Sequence, residues 1–202
     1  MRRAVVVLAV AAALSGVAAS GAHAGLISSL LPSCGAMSQP FAQFGDSDRY
    51  CAFANNGFEN GLSSWSAAGN ASVVPGNEPW FVSGPGSSAL DLGPGASVTS
   101  APLPVSLVDP WVKFFARSAG VNGGLRVQVL FQGFTGNLTG ILNVGYVSPG
   151  GYASWQPTGI QLSALALPIF TSTARVQITS LASSGDWLVD DAYLDPMISR
   201  GA

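Results

Sequence analysis

The sequence predicts an all-β domain made of two antiparallel sheets packed face to face. Three observations predict it. The 25 glycines and 13 prolines cluster into turns along the whole chain. The stretches between the turns run to about 5–8 residues and alternate apolar with polar side chains, as half-buried strands do. No long stretch repeats its apolar residues at the helical spacing of about 3.6. About eight to ten strands at this spacing suggest a β-sandwich.

Taken from the N-terminus, Arg2 and Arg3 precede an apolar run from Ala4 to Val17, and Ala22-His23-Ala24 forms a small-x-small cleavage site. This is the pattern of a secretory signal over residues 1–24, with Gly25 as the first residue after cleavage. The apolar run is shorter than the roughly 20 residues of a membrane span, and no later segment is continuously apolar at that length. The expectation is a soluble exported protein, extracellular or associated with the cell envelope.

The formal charge of −2 for the whole chain becomes −4 once Arg2 and Arg3 leave with the signal. A mildly acidic chain with scattered basic residues offers phosphate backbones little to hold, which argues against nucleic acid as a partner. High apolar content with few charges argues against disorder. The residues that remain are enough for one domain of ordinary size with a sizeable core.

Residues 25–48 read as a lead-in linker. Cys34 and Cys51 are the only two cysteines, and export places them where disulfides persist. They are expected to pair and tie the linker to the first strand, a bridge worth about 3 kcal/mol in the loop-entropy account; the alternative is two free thiols.

The sandwich domain is expected over 49–197, with a short tail at 198–202. Its clearest strand is Leu125 to Phe131, where Leu125, Val127, Val129 and Phe131 fall on one face. Ala174 to Thr179 alternates in the same way. Further strands are expected at Ala71 to Val74, Ser88 to Leu92, Ala96 to Ser100, Trp111 to Arg117, Gly140 to Val147 and Trp187 to Leu194. A single helical stretch is expected at Ser163 to Leu167, stopped by Pro168.

Most catalytic chemistries are excluded by composition. The only histidine, His23, leaves with the signal, so no Ser-His-Asp triad, Cys-His dyad or histidine zinc site can form. The only lysine, Lys113, sits in the apolar strand Trp111-Val112-Lys113-Phe114-Phe115 and reads as a strand-edge or snorkelling side chain. Gly84-Pro85-Gly86-Ser87-Ser88-Ala89 satisfies the dinucleotide pattern G-x-G-x-x-A, but Ser88 to Leu92 alternates as a strand where that fingerprint needs a helix N-terminus. Asp190 and Asp191 look like a glycosidase pair, yet neighbours on a regular strand point to opposite faces. The chain is therefore expected to be no enzyme; the alternative that stays open is a hydrolase with paired carboxylates, since Glu59 or Glu78 could approach an aspartate in space.

Two segments carry a resemblance. Asn55-Asn56-Gly57-Phe58-Glu59-Asn60-Gly61-Leu62-Ser63-Ser64-Trp65 is similar to the N-G-G-F-E-x-G-x-x-x-W opening of jelly-roll carbohydrate-binding modules with a galactose-binding-like fold. Trp187-Leu188-Val189-Asp190-Asp191-Ala192-Tyr193-Leu194 resembles their closing strand. The two bracket nearly the whole domain and imply a jelly roll. The complete chain also resembles a group of secreted bacterial proteins of no assigned function, through Gln39 to Asp46, Gly76-Asn77-Glu78-Pro79 and Asp190 to Pro196.

The resemblance implies a structural calcium at Glu59, Asp190 and Asp191, with backbone carbonyls such as those around Ser87-Ser88 completing the six to eight oxygens the ion takes. The other reading of these residues is that Glu59 caps a loop while one aspartate is solvated and its neighbour accepts backbone hydrogen bonds. For a sugar, whose apolar face packs on aromatic rings, the loop-placed candidates are Trp80, Phe81, Tyr152 and Trp155; Trp65 and Trp187 belong to the fold. Two functions stay open: a non-catalytic module binding glycan, and a structural or adhesive cell-envelope protein without a small-molecule site. An exposed row of aromatics beside polar groups would favour the first.

Overall fold

A computed structural model of the chain describes residues 37–104, 111–120, 122–161, 171–183 and 185–195. The signal 1–24, Cys34, the helix expected at 163–167 and the tail 198–202 lie outside them. The described strands, in order, are β1 (Cys51–Ala52), β2 (Trp65–Ala68), β3 (Ala71–Pro75), β4 (Ser88–Leu92), β5 (Ser97–Ser100), β6 (Leu103–Pro104), β7 (Trp111–Ser118), β8 (Leu125–Gly133), β9 (Leu138–Val147), β10 (Gln156–Pro157), β11 (Ile160–Gln161), β12 (Thr171–Ser180) and β13 (Trp187–Asp195). Every pairing between them is antiparallel.

The strands form the two sheets of a sandwich in a jelly-roll arrangement. One runs β10-β7-β13-β4-β3, with β1 also on β13 and β11 on β7; the other runs β2-β5-β12-β8-β9, with β6 on β12. Alternation decides what each strand buries. In β8, Leu125, Val127, Val129 and Phe131 enter the core and Arg126, Gln128, Leu130 and Gln132 face out. Between the sheets they meet Leu90, Leu92, Val98, Phe114, Ile178, Trp187 and Val189. Trp65 and Trp187 are buried as expected, and their indole N–H groups donate to the carbonyls of Asn55 (3.1 Å) and Gly123 (3.0 Å).

The lead-in segment departs from the linker reading. A single 3₁₀ turn, Ala42–Phe44, sets Phe41 against Tyr50, Phe115 and Tyr193 on the outer face of the seven-stranded sheet, with Phe44, Trp80, Val82 and Trp155 around them. Residues 37–48 therefore belong to the folded unit, because Phe115 faces away from Phe114 and needs its own cover. Lys113 pairs with Asp46 of this segment and lies over the rings of Phe41 (5.1 Å) and Tyr50 (5.6 Å). It is thus neither a strand-edge residue nor a snorkelling one: β7 runs between β13 and β10/β11, and the lysine pins the segment down. Cys51 is buried and not a free cysteine; with Cys34 outside the described residues, the expected bridge is not among the contacts the structure describes.

Candidate functional site

A β-bulge organises the loop end of the sandwich. Between Asp190 and Tyr193 the register of β13 against β7 shifts, and Asp191 takes a left-handed φ of 47°. The extra residue breaks the period of two. A regular strand would send Asp190 and Asp191 to opposite faces; the bulge instead turns both carboxylates toward Gly57, where an added Cβ would stand 3.0 Å from Asp191 Oδ1 and 3.6 Å from Asp190 Oδ1. A side chain at 57 would need the Asp191 carboxylate to give way by a few tenths of an ångström, so glycine suits this close approach.

A third acid joins them. Glu78, fully buried, accepts hydrogen bonds from the backbone N–H groups of Trp80 and Val82, and its carboxyl is hydrogen-bonded to Asp191. Asp190 accepts from the N–H groups of Glu78 (2.9 Å) and Asp191 (2.8 Å). Asp191 accepts from the N–H of Ser83 (3.3 Å) and the side-chain amide of Asn56 (3.4 Å). Burial and the neighbouring Asp191 charge push Asp190 up to about 8, against the pull of its two backbone donors. Burial and the Glu78 carboxyl raise Asp191 to about 6, while the bonds from Ser83 oppose the rise.

Asp191 and Glu59 line one cavity of about 200 Å³, with Asn55, Asn56, Asn60, Asn77 and Ser83 among its walls. Asp190 stays buried behind it. Glu59 accepts hydrogen bonds from the N–H groups of Ser87 and Ser88, both at 2.9 Å, and from their hydroxyls at 3.3 and 3.4 Å. Slight burial raises its carboxyl, but these donors outweigh it and hold it below its ordinary value. Glu59 thus caps the turn that leads into β4, where the G-x-G-x-x-A pattern runs into a strand as its alternation implied. Among the described residues no group of three or more His, Cys, Asp or Glu is set to hold a metal. The cavity does gather hard oxygen donors, two carboxylates and several side-chain amides, of the kind calcium takes.

The four candidate aromatics do not form a row. Trp80 packs edge-on against Phe44 (4.9 Å) and tilted on Phe115 (5.3 Å). Tyr152 is half-buried against Trp187, and Trp155 lies under the guanidinium of Arg117. Phe81 alone is exposed, at 51%.

What sequence reasoning missed is the outer face of the six-stranded sheet. Register aligns Ser66, Thr99, Gln177, Gln128 and Asn143 across β2, β5, β12, β8 and β9. The Gln177 amide donates to Thr99 Oγ1 (3.1 Å) and the Gln128 amide to Asn143 Oδ1 (2.7 Å). Both glutamine carbonyls and the Asn143 amino group keep capacity for further hydrogen bonds. On one side of this row lie Ser97, Thr179, Arg126 and the exposed Tyr146. On the other lie Arg175, Leu130 and Ile141, with the Arg175 guanidinium donating to Gln132 Oε1 (2.8 Å) and the Ser100 carbonyl (3.1 Å). Two bulges in the β8–β9 pairing bring Leu138, Ile141, Asn143 and Tyr146 to this face at irregular intervals. The alternation in β8 and β12 was the one available signal.

No protein-family model matches the chain, and no curated protein matches its sequence. Solved structures do match in fold. The CBM22-1-CBM22-2 tandem of Paenibacillus barcinonensis Xyn10C aligns over 75% of this chain and 48% of its own, with 15% identity and a TM-score of 0.51. The arabinose-bound α-L-arabinofuranosidase MgGH51 aligns over 72% and 26%, with 16% identity and a TM-score of 0.52. TmCBM61, solved with β-1,4-galactotriose, aligns over 72% and 99%, with 20% identity and a TM-score of 0.47. The likeness shows a fold. It is a β-sandwich shared with carbohydrate-binding modules, and the chemistry must be argued from this chain's own residues.

Proposed function

We propose that the chain is an exported, non-catalytic module that binds glycan on the outer face of its six-stranded sheet. The observation that carries the reading is the row Thr99, Gln177, Gln128 and Asn143. With strands about 4.8 Å apart, it extends for roughly 14 Å. Short amides and hydroxyls held in line by backbone pairing suit sugar hydroxyls, which must exchange water for well-placed partners. Tyr146 beside the row offers a ring face for a pyranose.

The test is affinity electrophoresis and a glycan array with the exported protein and a Gln128→Ala, Gln177→Ala double variant. Retardation of the parent by at least one polysaccharide, lost in the variant at unchanged melting temperature, supports the site. Equal retardation of both proteins rejects it.

A structural calcium belongs to this proposal. Glu59 and Asp191 would hold it, with amide oxygens of the asparagines lining the same cavity. Its charge would offset the negative charge of the buried acids and stiffen the loop end.

The adhesive reading keeps one observation in its favour. Phe134 is 81% exposed at the tip of the β8–β9 hairpin, and Leu138 and Ile141 are also exposed, an apolar edge suited to a protein partner. A silent array together with concentration-dependent self-association would select that reading.

A further inference from the structure

We propose that the Arg126 end of the sheet face is a subsite for the anionic group of an acidic sugar. The inference rests on the glycan-binding reading and adds the charge of the ligand to it. Charge is distributed unevenly in this fold. Glu59, Glu78, Asp190 and Asp191 gather at the loop end, whereas β2, β5, β6, β8, β9 and β12 contain no Asp or Glu and present Arg126 and Arg175. An acidic protein thus carries a sheet in whose described strands the formal charges are all positive.

The two arginines are in different states. Arg175 has its guanidinium engaged by Gln132 and the Ser100 carbonyl. The Arg126 Nε is buried and has no hydrogen-bond partner among the described residues. Its cross-strand neighbour Thr179 is in the same condition: Thr179 Oγ1 is buried and unpartnered. Unmet buried polar groups are uncommon and costly, and two of them adjoin on one row. Those two atoms are themselves covered, but Arg126 as a whole is only half-buried, and a guanidinium that reaches the surface of the face is a donor for a carboxylate or sulfate oxygen pair.

On the other flank of Arg126 stands Tyr146, 57% exposed. Its ring end lies against Gly124, the position where a Cβ would collide with it. Tyrosine, guanidinium and hydroxyl therefore follow one another across β9, β8 and β12, two residues along β8 and β12, and three along the bulged β9, from the amide row. A sugar ring stacked on Tyr146 would carry its acidic group to Arg126 and Thr179. Neighbouring sugars would lie along Gln128 and Gln177.

The experiment is isothermal titration of the exported protein with four polymers: polygalacturonate, its methyl ester, dextran sulfate and dextran. At low salt the acidic member of at least one pair should bind tenfold or more tighter than its neutral counterpart, and salt should narrow the gap. Preference within the first pair assigns a carboxylate, and within the second a sulfate. Arg126→Gln should remove the preference while leaving neutral-polymer binding and the melting temperature in place. Arg126→Lys, which keeps charge but loses the fork, should retain part of it. Equal binding of acidic and neutral polymers, or an Arg126→Gln effect of equal size on both, overturns the anionic subsite and leaves the glycan reading standing. Binding of no polymer, with a silent glycan array, overturns both.

Discussion

Raising the pH from 5 to 8 in the presence of chelator should destabilise the protein. Asp190 keeps its proton in the folded chain up to about pH 8, whereas its ordinary value is 3.8. Between those values unfolding releases a proton, so stability falls by about 1.4 kcal/mol for each pH unit crossed. Asp191, raised to about 6, adds to the fall in the lower part of the range. Glu59 and Asp46, whose carboxyls lie below their ordinary values, contribute stability that is lost only on acidification below about pH 5. They do not mask the trend. The total is several kcal/mol, or a fall in melting temperature on the order of 10 °C for a domain of this size.

Asp191→Asn supplies the control. Asparagine tolerates the left-handed backbone at 191, and removing that charge lets Asp190 ionise at less cost. The variant should melt above the parent at pH 8, with the difference shrinking toward pH 5. Calorimetry across the pH series reads both effects. A melting temperature that is flat or rises from pH 5 to 8 would refute the buried-acid argument.

Two further outcomes are expected. Calcium at about a hundred times its dissociation constant should stabilise the protein by roughly 2.7 kcal/mol; Glu59→Ala should lower the melting temperature in chelator, through loss of the bonds from Ser87 and Ser88, and also abolish the calcium-dependent rise. Identical melting curves in calcium and chelator would remove the ion. Gly124→Ala should cost about 1–3 kcal/mol by overpacking, because its Cβ would meet the Val147 carbonyl and displace Tyr146; an unchanged denaturation midpoint would count against the placement of that ring.

The strands were legible where alternation was regular. Leu125 to Phe131 and Ser88 to Leu92 lie in β8 and β4 as the pattern predicts, and the two-sheet layering follows from the number and spacing of such strands, whereas the jelly roll was implied by the resemblance of the opening and closing segments. Short pairings such as β1, β10 and β11 leave no periodic trace, and Trp65–Ala68 is too short to stand out between glycines. The candidate site was less legible for a physical reason. A bulge cancels the period of two, so neither the meeting of Asp190 with Asp191 nor the outward set Leu138, Ile141, Asn143 and Tyr146 can be counted off along the chain. The amide row depends on register between strands distant in sequence, which a single sequence does not display. The expected aromatics are placed by a different cause. Trp80 and Trp155 come after glycine-containing turns, as binding-loop residues often do, but the lead-in segment supplies Phe41 and Phe44 for them to pack beside.

That segment also sets where the protein can be cut. A boundary at Arg49, where the composition changes, would strip Phe41, Phe44 and Asp46 from the seven-stranded sheet and leave Phe115, Tyr193 and Trp80 facing water and Lys113 without its carboxylate. Such a fragment would carry a sticky aromatic surface belonging to no natural interface. Self-association or spurious capture measured with it would report the truncation and not the module. A faithful recombinant form therefore begins upstream of Met37, and any tag or immobilisation point is best attached at that end, which leaves the opposite sheet free to meet its ligand.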